Sequence, residues 1–211
     1  MSRARTAAAL FTVPLITVAL ATATAVAAPA GAVPRTPKPL TCQGQGVDAR
    51  AKVRARTETV IDAPLSTVWK LQTEVERWPD WQAHVTSMER LGHGPFRPGT
   101  AFRWTTPVPP NPATPATSLD ITSTVRQSER GSCIRWTGPA VGEGLHIDGV
   151  HVWTFTPVRG GVLVRTEETH TGAQVDANVP YATEVLKQGL EAWLDALETE
   201  AESRAGDHRP C

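Results

Sequence analysis

Two strand-like segments joined by a pair of glycines constrain the fold of this chain more than any other feature. Residues 145–158 and 162–171 are rich in β-branched and aromatic side chains, and Gly160 and Gly161 lie between them. A two-residue glycine loop is typical of a tight β-hairpin, because glycine readily adopts the positive φ that such turns require. The two segments are therefore predicted to form an antiparallel hairpin.

Counting outwards from this loop predicts the register of the hairpin and the two faces of its strands. Side chains alternate between the faces of a strand, so positions two residues apart share one face. On one face the predicted pairs are Phe155 with Thr166, Trp153 with Glu168, and His151 with His170. The other face is more polar and is predicted to contact solvent; it carries Val152, Thr154, Thr156, Arg165, Glu167 and Thr169.

The rest of the chain predicts shorter strands before the hairpin and one long helix after it. Residues 180–204 repeat apolar side chains with helical spacing, which predicts an amphipathic helix. Short helical turns are predicted after Pro64 and at residues 78–81. The predicted strands are 53–61, 84–91, 100–106, 118–127 and 133–137, and the five prolines within 107–115 predict a loop. An antiparallel sheet with one helix packed on it is an α+β, two-layer fold.

The order of these motifs resembles the SRPBCC or START-like helix-grip superfamily, in particular its polyketide cyclase/dehydrase-like branch, over residues 53–204. The resemblance implies an antiparallel sheet of about seven strands wrapped around the long C-terminal helix and enclosing an apolar cavity. Members bind lipids, sterols and polyketides, and some cyclise or dehydrate aromatic polyketides. The motifs that carry it are Val60–Pro64 with Val68-Trp69, Trp78–Trp81, Pro98–Thr100, Cys133–Trp136, His151–Pro157, Gly160-Gly161, and Glu168 followed by Gly172.

The N-terminal segment has the pattern of a secretory signal. Arg3 and Arg5 precede an uncharged apolar stretch, and small-x-small cleavage sites follow within residues 25–32. An uncleaved anchor helix is the alternative, since the uncharged stretch is long enough to span a bilayer. We predict a secreted, extracytoplasmic protein with no stable membrane insertion after cleavage. Its predicted parts are a signal peptide at 1–32, a Pro-rich tail at 33–52, the helix-grip domain at 53–204 and a C-terminal tail at 205–211.

Export permits a disulfide, and the chain has three cysteines. Cys42 and Cys211 lie in the two predicted tails, so a clasp between them is the preferred pairing, although sequence leaves all three pairings open. Cys133 would then be a free, shielded thiol.

Composition and motifs exclude several classes of partner. The chain has 21 basic and 21 acidic residues, so nothing indicates a nucleic-acid partner. It has no Gly-x-Ser-x-Gly motif and no glycine-rich phosphate loop. Two histidines and a carboxylate on one hairpin face suggest a metal site, but only their cross-strand proximity supports one. No metal and no cofactor are expected, and the oligomeric state stays open.

The candidate site lies on the inner face of the hairpin, which the resemblance implies faces the cavity. His151, Glu168 and His170 there could orient a ligand, act as general acid and base, or form a satisfied internal network. The chain has seven tryptophans against one tyrosine, and flat rings on strands suit a planar ligand. The predicted ligand-binding residues are Trp81, Trp104, Trp136, His151, Trp153, Phe155, Glu168 and His170.

Three functions follow from this site. The first is a secreted binding protein for a small hydrophobic or aromatic molecule held in an internal cavity. The second is a cyclase or dehydratase in which His151, His170 and Glu168 are catalytic; export disfavours it, because polyketide cyclases work beside an intracellular synthase. The third is a structural or interaction domain whose own tryptophans fill the cavity. The absence of an enclosed void of roughly 300 Å³ would favour the third.

Overall fold

The computed structural model describes residues 38–110 and 115–206, and the predicted signal segment and Cys211 lie outside them. Within these residues, seven strands form one antiparallel sheet in the order β1-β7-β6-β5-β4-β3-β2. A 3-10 helix, Val75–Asp80, follows the first α-helix. The strands are β1 (Val53–Ile61), β2 (Ser87–Arg90), β3 (Ala101–Val108), β4 (Thr117–Glu129), β5 (Cys133–Gly142), β6 (Leu145–Val158) and β7 (Gly161–Thr171), and the helices are α1 (Leu65–Thr73), α2 (Ala173–Ala177) and α3 (Val179–Gly206).

The predicted α+β architecture is confirmed, with the long helix α3 packed mainly on β1. In β1 the inward-facing Val53, Ala55 and Ile61 are buried, as strand alternation requires. In α3 the buried residues recur every three or four positions and make one apolar stripe. They are Leu186, Leu190, Leu194, Leu197 and Ala201. No helix in the described part of the chain combines the length and apolarity needed to cross a membrane.

The loop of the central hairpin lies one residue earlier than predicted. Val158 pairs with Gly161, so Arg159 and Gly160 form the loop, and both Gly160 and Gly161 have positive φ. Gly161 belongs to β7, where β1 is very close to it. A Cβ at Gly161 would overlap the carbonyl oxygen of Ile61, so close approach and positive φ both require glycine there.

This shift changes the predicted pairs but not the predicted faces. His151 pairs with Glu168 instead of His170, and Trp153 pairs with Thr166 instead of Glu168. Each pair moves by two positions, which is one full period of side-chain alternation. The inner face of the hairpin therefore carries the predicted side chains with different cross-strand neighbours.

The outer face of the hairpin contacts solvent only in part: Thr156 is exposed as predicted, but half of the face is buried. Val152, Glu167 and Thr169 are buried there. They are covered by residues 38–50, which we call the N-terminal strap. The backbone N–H groups of Leu40 and Asp48 donate to Glu167 Oε2 at 2.8 Å and to Thr169 Oγ1 at 3.2 Å.

A disulfide fixes the strap to the sheet. It joins Cys42 to Cys133, whose Cα atoms lie 5.3 Å apart. The preferred pairing of Cys42 with Cys211 is therefore wrong, and Cys133 is not a free thiol. The reason is that Cys133 begins β5 on the covered face, where the strap brings Cys42 to it.

Two local predictions also differ from the structure. Pro107 and Val108 extend β3 and pair with β4, so the predicted proline-rich loop begins later than expected. Helix α2 was not predicted, because its five residues are too few for a clear helical repeat.

Candidate functional site

The concave face of the sheet carries two adjoining sets of side chains. The first, which we call the aromatic cluster, consists of Phe102, Trp78, Trp81, Trp104, Trp136, Trp153 and Trp193. The second, which we call the ionic cluster, consists of His151, Glu168 and His170. The ring of His151 joins them, since its centroid lies 4.8 Å from that of Trp153 and 5.4 Å from that of Trp136.

Trp78 lies at the centre of the aromatic cluster. The 3-10 helix places its ring on the concave face, where it is only 1% exposed. Its centroid lies 4.8 Å from that of Trp193 on α3 and 5.3 Å from that of Phe102 on β3. Both contacts are edge-to-face, an arrangement that aromatic pairs favour. These rings fill the part of the concave face that lies under the short helices.

The ionic cluster is organised by the pairing of β6 with β7. His151 Nδ1 lies 3.3 Å from Glu168 Oε2, and His170 Nε2 lies 3.3 Å from the other oxygen, Oε1. The second ring nitrogen of His151, Nε2, lies 2.6 Å from Thr166 Oγ1. The side chains of Glu168 and His170 keep 19% and 21% of their exposure, so solvent reaches this half of the face.

Burial and mutual contact set the charges of the ionic cluster. Burial lowers the pKa of His151 to about 4, although the Glu168 charge opposes this shift. Burial alone would raise the pKa of Glu168, but His151 and His170 outweigh it and hold that pKa below its ordinary value. At neutral pH, Glu168 is therefore an ionised carboxylate and His151 is a neutral imidazole.

These charges assign the hydrogen on His151. An ionised carboxylate attracts an N–H, so the contact of His151 Nδ1 with Glu168 favours the hydrogen on that nitrogen. Nε2 then accepts a hydrogen bond from the Thr166 hydroxyl. Nε2 is thus occupied within the cluster, and Nδ1 lies against the carboxylate at 3.3 Å. Thr166 is fully buried, so its hydroxyl is closed to any reactant.

The structure gathers the predicted ligand-binding residues on one face but separates them into distinct groups. Trp104, Trp136 and Trp153 lie in the aromatic cluster, and Trp81 lies at its edge, 6.0 Å from Trp193. Phe155 packs instead against Trp69, with ring centroids 5.4 Å apart. Whether any of them contacts a ligand stays a prediction.

Phe102, Trp78 and Trp193 belong to this face but were not among the predicted ligand-binding residues. Strand alternation placed Thr166 on the inner face, but the sequence did not identify it as the partner of His151. Trp78 and Trp193 lie in predicted helical segments, and no sequence signal indicates that helical rings reach the centre of a sheet.

Two surface depressions formed by the described residues both lie away from the ionic cluster. One of about 400 Å³ is an open groove between α3 and Trp81. The other, of about 290 Å³, lies in the exposed segment of residues 90–101. Neither contains His151, Glu168 or His170. In residues 38–110 and 115–206, no three His, Cys, Asp or Glu side chains are placed to hold a metal ion together.

A seven-stranded antiparallel sheet around a long C-terminal helix defines a helix-grip protein. A model of the family described as polyketide cyclase/dehydrase and lipid transport matches residues 52–202. The chain belongs to this family. No curated protein matches it.

Solved structures with a similar fold include proteins with quite different descriptions. Ara h 8.0201 is 16% identical with a TM-score of 0.54, over 71% of this chain and 97% of that one. A START superfamily protein from Mycobacterium smegmatis is 14% identical with a TM-score of 0.55, over 71% and 97%. The di-domain ARO/CYC StfQ from the steffimycin biosynthetic pathway is 20% identical with a TM-score of 0.56, over 73% of this chain and only 52% of that one. Such low identities show a shared fold alone.

Proposed function

We propose that this chain is an exported binding protein for a small apolar or aromatic molecule, which binds at the ionic cluster on the concave face. The observation that carries the proposal is an ionised glutamate between two histidines, partly open to solvent and adjoining a wall of tryptophan rings. A few convergent polar groups beside apolar surface are typical of small-molecule sites.

The energetics of the ionic cluster support a role beyond stability. Removing a carboxylate from water is costly, and apolar side chains of similar volume usually stabilise a protein as well or better. A charged cluster in the interior is therefore weak evidence of stabilisation, and perturbed ionisable groups are concentrated at functional sites.

Two observations support export. The first 32 residues have the charge, apolarity and cleavage pattern of a secretory signal. The Cys42–Cys133 disulfide also fits an oxidising compartment, where disulfides form and persist. We therefore infer that the mature protein begins near residue 33 and acts outside the cytoplasm.

The same geometry favours binding over acid/base catalysis. An efficient general base has a pKa near the working pH, whereas the pKa of His151 is lowered to about 4 and that of Glu168 is also lowered. Thr166, the hydroxyl next to His151, is fully buried and offers no nucleophile. The polar groups of the ionic cluster are therefore better suited to orient a ligand than to transfer protons.

A second candidate, an interaction domain without an internal ligand, is favoured by the packing of the aromatic cluster. Six of the seven tryptophans occupy the concave face in mutual contact. These rings occupy the space that an internal ligand would need. The ligand of the first proposal therefore binds against the exposed half of the concave face, at the ionic cluster.

The two candidates are separated by native mass spectrometry of the protein purified from its own culture medium. An exported binding protein is expected to carry a small molecule that is released on unfolding, and its N-terminus is expected to lie near residue 33. The Glu168→Gln variant should lose or exchange that molecule, whereas Glu167→Gln, altered on the opposite face, should retain it. Repeated recovery of an empty chain would favour the interaction domain, and retention of the signal segment would contradict export.

A further inference from the structure

We propose that Glu168 restricts the ligand to molecules that present a hydrogen-bond donor, such as an alcohol, phenol or amine on an apolar skeleton, and excludes carboxylates. This inference rests on the proposed function and names the ligand class of that same site.

The ionic cluster offers a ligand acceptors and no free imidazole of His151. His151 is buried, its Nε2 is bonded to Thr166, and its Nδ1 lies 3.3 Å from the Glu168 carboxylate, so it has little to offer a ligand. Each oxygen of Glu168 faces one imidazole nitrogen, which leaves about half of the acceptor sites of a carboxylate unused. The cluster therefore presents unused acceptors, and a donor on the ligand complements them.

Electrostatics disfavour an anionic ligand at this site. The Glu168 side chain is about a fifth exposed, so a molecule bound on the concave face can lie beside it. A ligand carboxylate beside it would place two like charges close together in a partly desolvated site, where their repulsion is poorly screened. We expect an anion to bind at least about tenfold more weakly than its neutral, donor-bearing analogue, which corresponds to about 1.4 kcal/mol.

The apolar surface beside Glu168 indicates the shape of the ligand's skeleton. The rings of Trp153 and Trp136 flank His151, so the apolar surface next to the carboxylate is aromatic. Flat rings of this kind pack well against a planar apolar body. A donor at one end of a planar skeleton fits both features.

The test is a matched series of naphthalene probes titrated into the full mature protein by isothermal titration calorimetry at pH 7.5. The series is 2-naphthalenemethanol, 2-naphthalenemethylamine, 2-naphthoate and 2-methylnaphthalene, which share a skeleton and differ in donor and charge. We expect the alcohol and the amine to bind at least about tenfold tighter than the carboxylate. Glu168→Gln should bring the alcohol and the carboxylate within about threefold of each other, whereas Glu167→Gln should keep the preference.

The outcomes separate this inference from the function on which it rests. If the wild-type protein binds 2-naphthoate as tightly as the alcohol, the selectivity is wrong while the binding function stands. A full preference that survives in folded Glu168→Gln would also overturn it, because another group would then be responsible. If none of the four probes binds to the wild type, both proposals fail. The comparison among probes in the wild type needs no variant, so it can contradict the inference even if Glu168→Gln folds poorly.

Discussion

Glu167 and Glu168 are neighbours in sequence but lie on opposite faces of β7, and their surroundings differ completely. Glu167 is 5% exposed beneath the N-terminal strap, where it accepts from the backbone N–H of Leu40 at 2.8 Å and lies 3.6 Å from Arg54 Nε. Glu168 lies on the concave face between two imidazoles and keeps 19% of its exposure.

The two glutamates differ in their partners, and this difference separates a structural carboxylate from a candidate binding carboxylate. The partners of Glu167 are a backbone amide and an arginine that hold a distant segment in place, so its contacts serve the fold. The partners of Glu168 are titratable side chains, and its own side chain is partly exposed. The same residue type therefore stabilises one face and leaves the other able to bind.

The largest expected effect is removal of the disulfide that holds the strap over Glu167. Replacing both Cys42 and Cys133 by alanine should lower the free energy of unfolding by about 2–4 kcal/mol, because the link closes a long loop in the unfolded chain. Urea denaturation measures this loss, and binding at the ionic cluster should persist in the folded variant. Cys211→Ser is the matched control and should leave stability unchanged; an equal loss there would contradict the Cys42–Cys133 pairing.

The next largest effect is a loss of stability at acidic pH that is caused by His151. Its folded pKa of about 4 lies below the ordinary 6.5, so between these values the unfolded chain binds more protons than the folded one. The stabilisation is complete above pH 6.5 and is lost as the pH falls toward 4. The total loss is roughly 3 kcal/mol, at about 1.4 kcal/mol per pKa unit.

Thermal unfolding between pH 7.5 and 4.5 checks this dependence. His151→Gln, which cannot titrate, should flatten the curve between pH 6.5 and 5. Glu168 and His170 face the same imidazole, so His170→Gln is measured in parallel and should keep the fall. An unchanged curve in His151→Gln would show that another group carries the acid sensitivity.

How much of this contrast can be predicted from sequence depends on the physical range of each interaction. The side chains on each face of β6 and β7 were predicted correctly, because alternation is local and the actual loop shifted every pair by a full period. The cover over Glu167 was not predicted, since residues 38–50 have no periodicity and Leu40 contacts a residue 127 positions away. The location of Cys42 and Cys211 in the two predicted tails likewise favoured the wrong partner for Cys42.

At the candidate site, too, local features were predicted and features that depend on tertiary packing were not. The membership of the ionic cluster follows from strand alternation and was predicted, although the partner of His151 was not. The filling of the neighbouring concave face depends on rings from the 3-10 helix and α3, which reach it only through tertiary packing. The lowered pKa of His151 depends on burial, which no local pattern encodes.

A smaller effect is expected from Glu167→Gln. The amide can still accept from Leu40 N–H, but the bond loses its charge, and the largely buried Nε of Arg54 loses the carboxylate beside it. Hydrogen bonds to charged groups contribute more than neutral ones, so we expect a loss of about 1–2 kcal/mol in the free energy of unfolding. Urea denaturation measures it. No loss would show that the strap is held by its disulfide alone.

The smallest effect on stability is expected from Glu168→Gln, the isosteric change on the concave face. The variant loses its attraction to the two histidines but no longer buries a charge, and these changes largely cancel. The free energy of unfolding at pH 7.5 should therefore change by less than about 1 kcal/mol. Because the Glu168 charge raises the pKa of His151, its removal should also widen the gap between the folded and unfolded pKa values, so the acid-induced loss still begins near pH 6.5 but becomes larger and continues to lower pH. A loss as large as that of Glu167→Gln, measured under the same conditions, would make both glutamates structural and remove the contrast between the faces.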